Sequence, residues 1–289
     1  MRATVQRSQR FSMRCARVAI AVGIAAHAAH AMAAEEKQPG ATTQARPASA
    51  AAPARRAGRF GVSTGFDWST GDYGDTQSTD VWYVPLHLRY EWRRWLFRTT
   101  VPYIRVTGPG SVTVGGDVIF SGGQTSSRTR AGLGDVIAGV TYRFDPPLRG
   151  FPYLDATLKA KFPTARSSEG LGTGEFDTTL QLDATRPFGP ITAFGSAAYR
   201  FVGDPPGTSF QNTVAASIGV DWRIRRPISV GAYYSWRQTA SRSLGDAHEI
   251  ASYASWRVGR GFTVGPYVVI GLSTAAPDVG AGLQLGFKH

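Results

Sequence analysis

The chain has 289 residues, enough for one large domain or two of average size. Its 32 Lys and Arg against 20 Asp and Glu leave a net +12, and 42% hydrophobic residues exclude disorder along the whole length. Thirty-four glycines, an 11% aromatic content and a single cysteine exclude collagen, coiled coil and disulfide scaffold, and point to many turns between aromatic-rich strands.

Residues 1–34 carry an address. Arg2, Arg7, Arg10, Arg14 and Arg17 stand without an acid, the apolar run 18–26 follows, and Ala31-Met32-Ala33 offers an A-x-A-like cleavage site. That order reads as a secretory signal peptide; the run is too short for a membrane-spanning helix, and His27 and His30 interrupt it. Cys15 would leave with the signal, so the exported chain is expected to be free of cysteine, which avoids misoxidation in a periplasm. Loss of the five arginines lowers the net charge to +7. Residues 35–58 are rich in Ala and Pro and hold almost no large apolar side chain, so they read as a flexible periplasmic tether.

From Arg59 onward the hydrophobic period is two. In 80–92, Trp82, Val84, Leu86, Leu88, Tyr90 and Trp92 share one face, and His87, Arg89 and Glu91 share the other. The spacing predicts about twelve strands, at 59–70, 80–92, 95–106, 133–144, 153–163, 174–187, 191–202, 211–224, 228–238, 248–258, 262–272 and 278–287. No segment shows a helical period. Odd connections (71–78, 107–131, 164–173, 203–210, 239–247, 273–277) are mostly longer than even ones (93–94, 145–152, 188–190, 225–227, 259–261). Short turns alternating with longer loops, and strands of about 9–11 residues, belong to a barrel in the bacterial outer membrane. Aromatics gather where strands would cross the two interfaces, among them Trp92, Trp95, Tyr142, Phe144, Tyr199, Phe201, Trp222, Trp236 and Trp256. The expected fold is therefore all-β: a transmembrane antiparallel up-and-down β-barrel over 59–289. Its partners would be outer-membrane lipid and lipopolysaccharide, a small-molecule solute and the barrel-assembly machinery. The last outward aromatic, Phe287, is followed by Lys288 and His289, which read as a short extension.

Residues that carry chemistry are few. Past the signal, the histidines are His87, His248 and His289, none with a serine two residues on, and no clustered His, Asp or Glu has metal-ligand spacing. Gly170-Leu-Gly-Thr-Gly174 opens no helix and carries no following Lys-Ser/Thr, so it reads as loop rather than phosphate cradle. Basic and acidic residues alternate along strands, which disfavours nucleic acid. Neither catalytic group, cofactor nor metal is expected. The inward charges are mixed, nine basic against seven acidic, and the expected pore-lining residues are Asp135, Lys161, Asp177, Lys159, Arg98, Arg200, Asp221 and Arg237. Pairing about the connections 145–152 and 164–173 sets Asp135 near residue 162 and Lys161 near residue 176, so Asp135, Lys161 and Asp177 form an acid–base–acid row. The row reads either as wall structure or as an outer constriction. Twelve strands lie between the eight that side chains fill and the 16–18 of a water-filled porin. The function expected is an outer-membrane channel for small solutes, the alternative a closed structural or adhesion barrel without transport.

Three short motifs in the first half of the barrel resemble a known family. They are Gly132-Leu-Gly-Asp-Val136, Lys161-Phe-Pro-Thr164 and Gly170-Leu-Gly-Thr-Gly-Glu-Phe-Asp177. Their order is similar to that of the outer-membrane transporter family named after the meta-pathway of phenol degradation; Ala165 stands where the family pattern continues with Gly. The resemblance implies an outer-membrane channel or transporter, often linked to hydrophobic or aromatic compounds.

Overall fold

A computed structural model describes residues 58–288, except 74–76, 109–111, 115–116, 120–127, 149, 208 and 243, and the side chains of 112–114 and 117–119. The signal-peptide and tether readings, apart from Gly58, lie outside the described residues, as does His289.

The first strands are β1 (Arg59–Gly71), β2 (Thr79–Trp92) and β3 (Trp95–Gly108), followed by a small hairpin of β4 (Val112–Val114) and β5 (Asp117–Ile119). Next come β6 (Arg128–Leu133), β7 (Val136–Phe144), β8 (Tyr153–Phe162), β9 (Asp177–Phe188) and β10 (Ile191–Phe201). β11 (Thr213–Arg225), β12 (Ile228–Arg237), β13 (Ala247–Val258), β14 (Phe262–Gly271) and β15 (Val279–Lys288) complete the chain. Apart from the β4–β5 hairpin, each strand pairs antiparallel with its neighbours, and β1 pairs with both β2 and β15. The sheet is closed. β6 and β7 both pair with β3 and together make one crossing, so twelve staves form the barrel.

Closure answers a physical demand: lipid offers no hydrogen bond to a free sheet edge. The outward row of β2 is exposed from Trp82 to Trp92, whereas Thr79, Val81, Tyr83, Pro85 and His87 on the alternate face are buried. Outward aromatics make two girdles. Near the termini lie Trp92, Trp95, Tyr142, Phe144, Trp222 and Trp256; near the longer connections lie Phe66, Trp82, Phe162, Phe176, Tyr199 and Phe201. Each ring can keep a polar edge at the headgroups and an apolar face in lipid. The end with the longer connections is called outer below and the end with the termini inner, as in bacterial barrels of this type.

Two findings refine the expected strands. The fourth crossing begins at Arg128 rather than residue 133, so part of the expected long loop is sheet. That crossing is also bulged. Tyr103 pairs with Leu133 and Thr100 with Ile137, so three residues, 134–136, oppose two, 101–102. Pro102 has no N–H to give the ladder, and its carbonyl accepts from Gly134 N at 2.9 Å. A bulge there turns Gly134 and Asp135 both toward the lumen, where strict alternation would send one out.

Candidate functional site

The bulge places Asp135 in a buried charge cluster at the outer end of the lumen. Lys161 lies directly opposite Asp177. Its Nζ stands 3.2 Å from Asp177 Oδ2 and 3.3 Å from Asp135 Oδ2, and donates to Thr173 Oγ1 at 2.9 Å. Arg200 reaches Asp177 Oδ2 from β10 at 2.5 Å through Nη2. Two backbone donors complete the shell: Ala165 N to Asp135 Oδ1 at 2.9 Å, and Gly203 N to Asp177 Oδ1 at 3.0 Å. Asp135, Lys161 and Asp177 keep only 4%, 3% and 2% of their surface exposed.

What covers them is the connection 163–176. Thr164 Oγ1 accepts from Val136 N at 2.9 Å and donates to Gly134 O at 3.2 Å, fastening the connection to the bulge. Leu171, 2% exposed, sits over Gly132, where a Cβ would come within 2.8 Å of its Cδ1. A Cβ on Gly172 would lie 2.8 Å from Asp135 Oδ2. The three motifs thus meet at one place. The glycines give room for the connection to turn into the barrel, and the charges tie it down.

Other outer segments also turn in. Tyr73 packs with Val81, Tyr83, Ile104 and Val106, all from the luminal face of β2 and β3, and its hydroxyl lies 3.2 Å from Ser69 Oγ. Burial pushes the Tyr73 hydroxyl pKa up. Ala275 and Ala276 pack on Ala247. Beside them partial desolvation, then the charge of Asp72, raises the pKa of the exposed Asp278 from its ordinary value. Arg237 bonds Glu249 at 3.1 Å on this same outer half of the wall.

A second set of side chains runs along the hydrogen-bonding direction through β11–β15 and β1. Tyr253 OH donates to Asp221 Oδ2 at 3.2 Å, and Tyr267 OH donates to Asp67 Oδ1. Tyr233, Ala251, Tyr253, Tyr267 and Val269 form one buried cluster, with Phe194 and Ala281 against it.

At the inner end the lumen opens into a cavity of about 490 Å³. Arg59, Arg89, Arg98, Arg257 and Lys288 line it together with one carboxylate, Glu91, and the buried His87. Glu91 is shared: it bonds Arg89, takes Arg143 Nη2 at 3.4 Å and Lys288 Nζ at 3.3 Å. His87 Nδ1 lies 2.8 Å from Thr100 Oγ1.

The eight residues expected to line a pore therefore fall in different places. Asp135, Lys161, Asp177 and Arg200 share the outer cluster; Arg237 pairs with Glu249. Lys159 donates to Gln181 Oε1 at 2.7 Å below that cluster, Asp221 belongs to the tyrosine band, and Arg98 lines the inner cavity. Among the described residues no group of three or more His, Cys, Asp or Glu could hold a metal ion. Sequence reasoning passed over Asp67, Tyr253, Tyr267 and the inner basin. Inward tyrosines beside inward glycines on the neighbouring strand were the available signal.

Residues 57–288 match the family described as the MetA-pathway of phenol degradation. The chain belongs to this family. Among solved structures, it is similar to an outer membrane channel from Pseudomonas putida F1. The two are 13% identical over 83% of this chain and 100% of that one, with a TM-score of 0.62. More distant likenesses are the NanC porin (11% identity, 78% and 97% coverage, TM-score 0.48) and the translocator domain of the autotransporter NalP from Neisseria meningitidis (13%, 91% and 96%, 0.48). At such identities the likeness to solved structures is one of fold. As a member of this family with a closed, lipid-facing barrel, the chain is a protein of the bacterial outer membrane.

Proposed function

We propose that this barrel is a narrow outer-membrane channel for small solutes, hydrophobic and aromatic compounds among them. The observation that carries the reading is the polar inner cavity within a closed sheet of twelve crossings, a width between side-chain-filled and water-filled barrels. The likeness in fold to a channel and the family membership support it. Asp135, Lys161, Asp177, Arg200, Arg237, Lys159, Asp221 and Arg98 would border the route, the first four once the connection 163–176 swings away. The chain would reach the membrane by loss of residues 1–34 and insertion by the barrel-assembly machinery, with lipopolysaccharide around its outer girdle. Its work is transport rather than catalysis.

The inturned outer connections favour one rival, a closed structural or adhesion barrel. Planar-bilayer recording of the refolded protein separates them. Discrete conductance steps are expected; silence from protein with the heat-modifiable mobility of a folded barrel would establish the rival.

A further inference from the structure

The inner cavity gathers charge of one sign. Five cations and one carboxylate line it, an excess of +4. Widening the circle adds Arg143 on Glu91, Asp183, which attracts Arg98, and Asp155, which lies opposite both Arg143 and Asp183, and still leaves an excess of +3. Glu91 is already divided among Arg89, Arg143 and Lys288. Cations confined between low-dielectric walls repel one another and focus a positive potential on the space they enclose.

A second observation is independent of the charge count. His87 is 9% exposed and borders the cavity, and its Nε2 has no hydrogen-bond partner among the described residues, while Nδ1 is engaged by Thr100. In the tautomer whose Nδ1 accepts from the threonine hydroxyl, Nε2 carries the proton and is a buried donor, and this is the tautomer that an anion in the cavity selects. A buried donor without an acceptor is costly, and a ligand that supplies one removes the cost.

We infer that this basin is a binding site for a small organic polyanion, a di- or tricarboxylate, held by Arg98, Arg59, Arg257 and Lys288 with His87 Nε2 as a neutral donor. Guanidinium groups match carboxylates two bonds at a time. The volume of about 490 Å³ lies within the roughly 300–1,000 Å³ of small-molecule sites and is ample for an organic ion. The inference deepens the channel reading: the anion would dwell at the inner mouth of the route.

Calorimetric titration of citrate into the detergent-folded barrel tests the site without requiring conduction. Saturable one-site binding is expected, weakened about tenfold or more by Arg98→Gln and several-fold by His87→Phe. Arg257→Gln, at the rim, serves if Arg98→Gln fails to show folded mobility. Absence of saturable citrate binding by the folded wild type overturns the inference. Undiminished binding in the folded variants, or equally tight competition by inorganic phosphate, does so too. Conductance steps without citrate binding would retain the channel and remove the site, and citrate binding by an electrically silent barrel would do the reverse.

Discussion

Tyr253 and Tyr267 stand directly opposite each other across β13 and β14, yet their hydroxyls leave in opposite directions. Tyr253 passes over Gly231 on β12 to reach Asp221 on β11; Tyr267 passes over Gly282 on β15 to reach Asp67 on β1. The arrangement is a mirrored pair of Tyr–Gly–Asp spans. Each lets an aromatic side chain cross a neighbouring strand because the glycine between has no Cβ to obstruct it. The second span joins strands near the two ends of the barrel sequence, so it also clasps the seam of the barrel.

The glycines can be tested directly. A Cβ on Gly282 would stand 2.7 Å from the Tyr267 ring, and one on Gly231 would run into the Tyr253 ring. Gly282→Ala and Gly231→Ala are each expected to destabilise the barrel by about 1–3 kcal/mol. Gly245→Ala, with nothing within 4 Å of the added carbon, should stay within about 0.5 kcal/mol of wild type. Urea midpoints in lipid vesicles decide it, and equal midpoints for all three would dismiss the spans as a packing device.

Lipid contact can be read on one strand. Leu158 is 45% exposed on the outward face, whereas Thr157 Oγ1 lies 2.9 Å from Thr141 Oγ1 on the inward one. Leu158→Arg near mid-strand is expected to cost about 2–4 kcal/mol. Thr157→Arg, facing the lumen, should fold with wild-type yield. The comparison is made by the fraction of heat-modifiable protein after refolding into vesicles.

Strand positions were legible because a half-lipid, half-lumen strand must alternate, and β2 or β15 can do nothing else. The bulge was less legible: Gly134 and Asp135 face the same way, and only the paired Pro102 explains the break. That Leu171 turns inward leaves no trace in periodicity, since its flanking glycines permit many paths. The Tyr267–Asp67 contact needs the closed seam before it exists. Opposite charges at Asp135, Lys161 and Asp177 could be paired by counting about the turns; the roof over them could not.

Acidity should act on the outer connections through Asp278. Its pKa is raised, by partial desolvation first and then by the charge of Asp72, so folding shifts this exposed carboxyl toward its neutral form. The stability it contributes is present below the ordinary carboxyl pKa and is lost as pH rises through the raised value. Asp278→Asn holds the neutral form at every pH. Proteolysis of 272–278 is therefore expected to increase from pH 4 to pH 7 in wild type and to change less in the variant; parallel pH profiles would remove Asp278 as the cause.

Lys161 gives the sharpest test of the outer cluster. The ammonium serves two carboxylates under the inturned connection, so Lys161→Ala leaves Asp135 buried with one backbone donor, while Asp177 keeps Arg200 and Gly203 N. Removing one member of a buried ionic set costs about 3–5 kcal/mol, far more than an exposed pair would. Asp135→Asn in the same chain removes the stranded charge and should restore about 1 kcal/mol or more, a coupling that a double-mutant cycle isolates. Loosening of 163–176 should accompany the loss, measured as faster cleavage near Arg166 by external protease and as larger or more frequent conductance steps. Intact stability together with unchanged conductance in Lys161→Ala would mean that the buried row neither fastens the connection nor governs the outer end of the lumen.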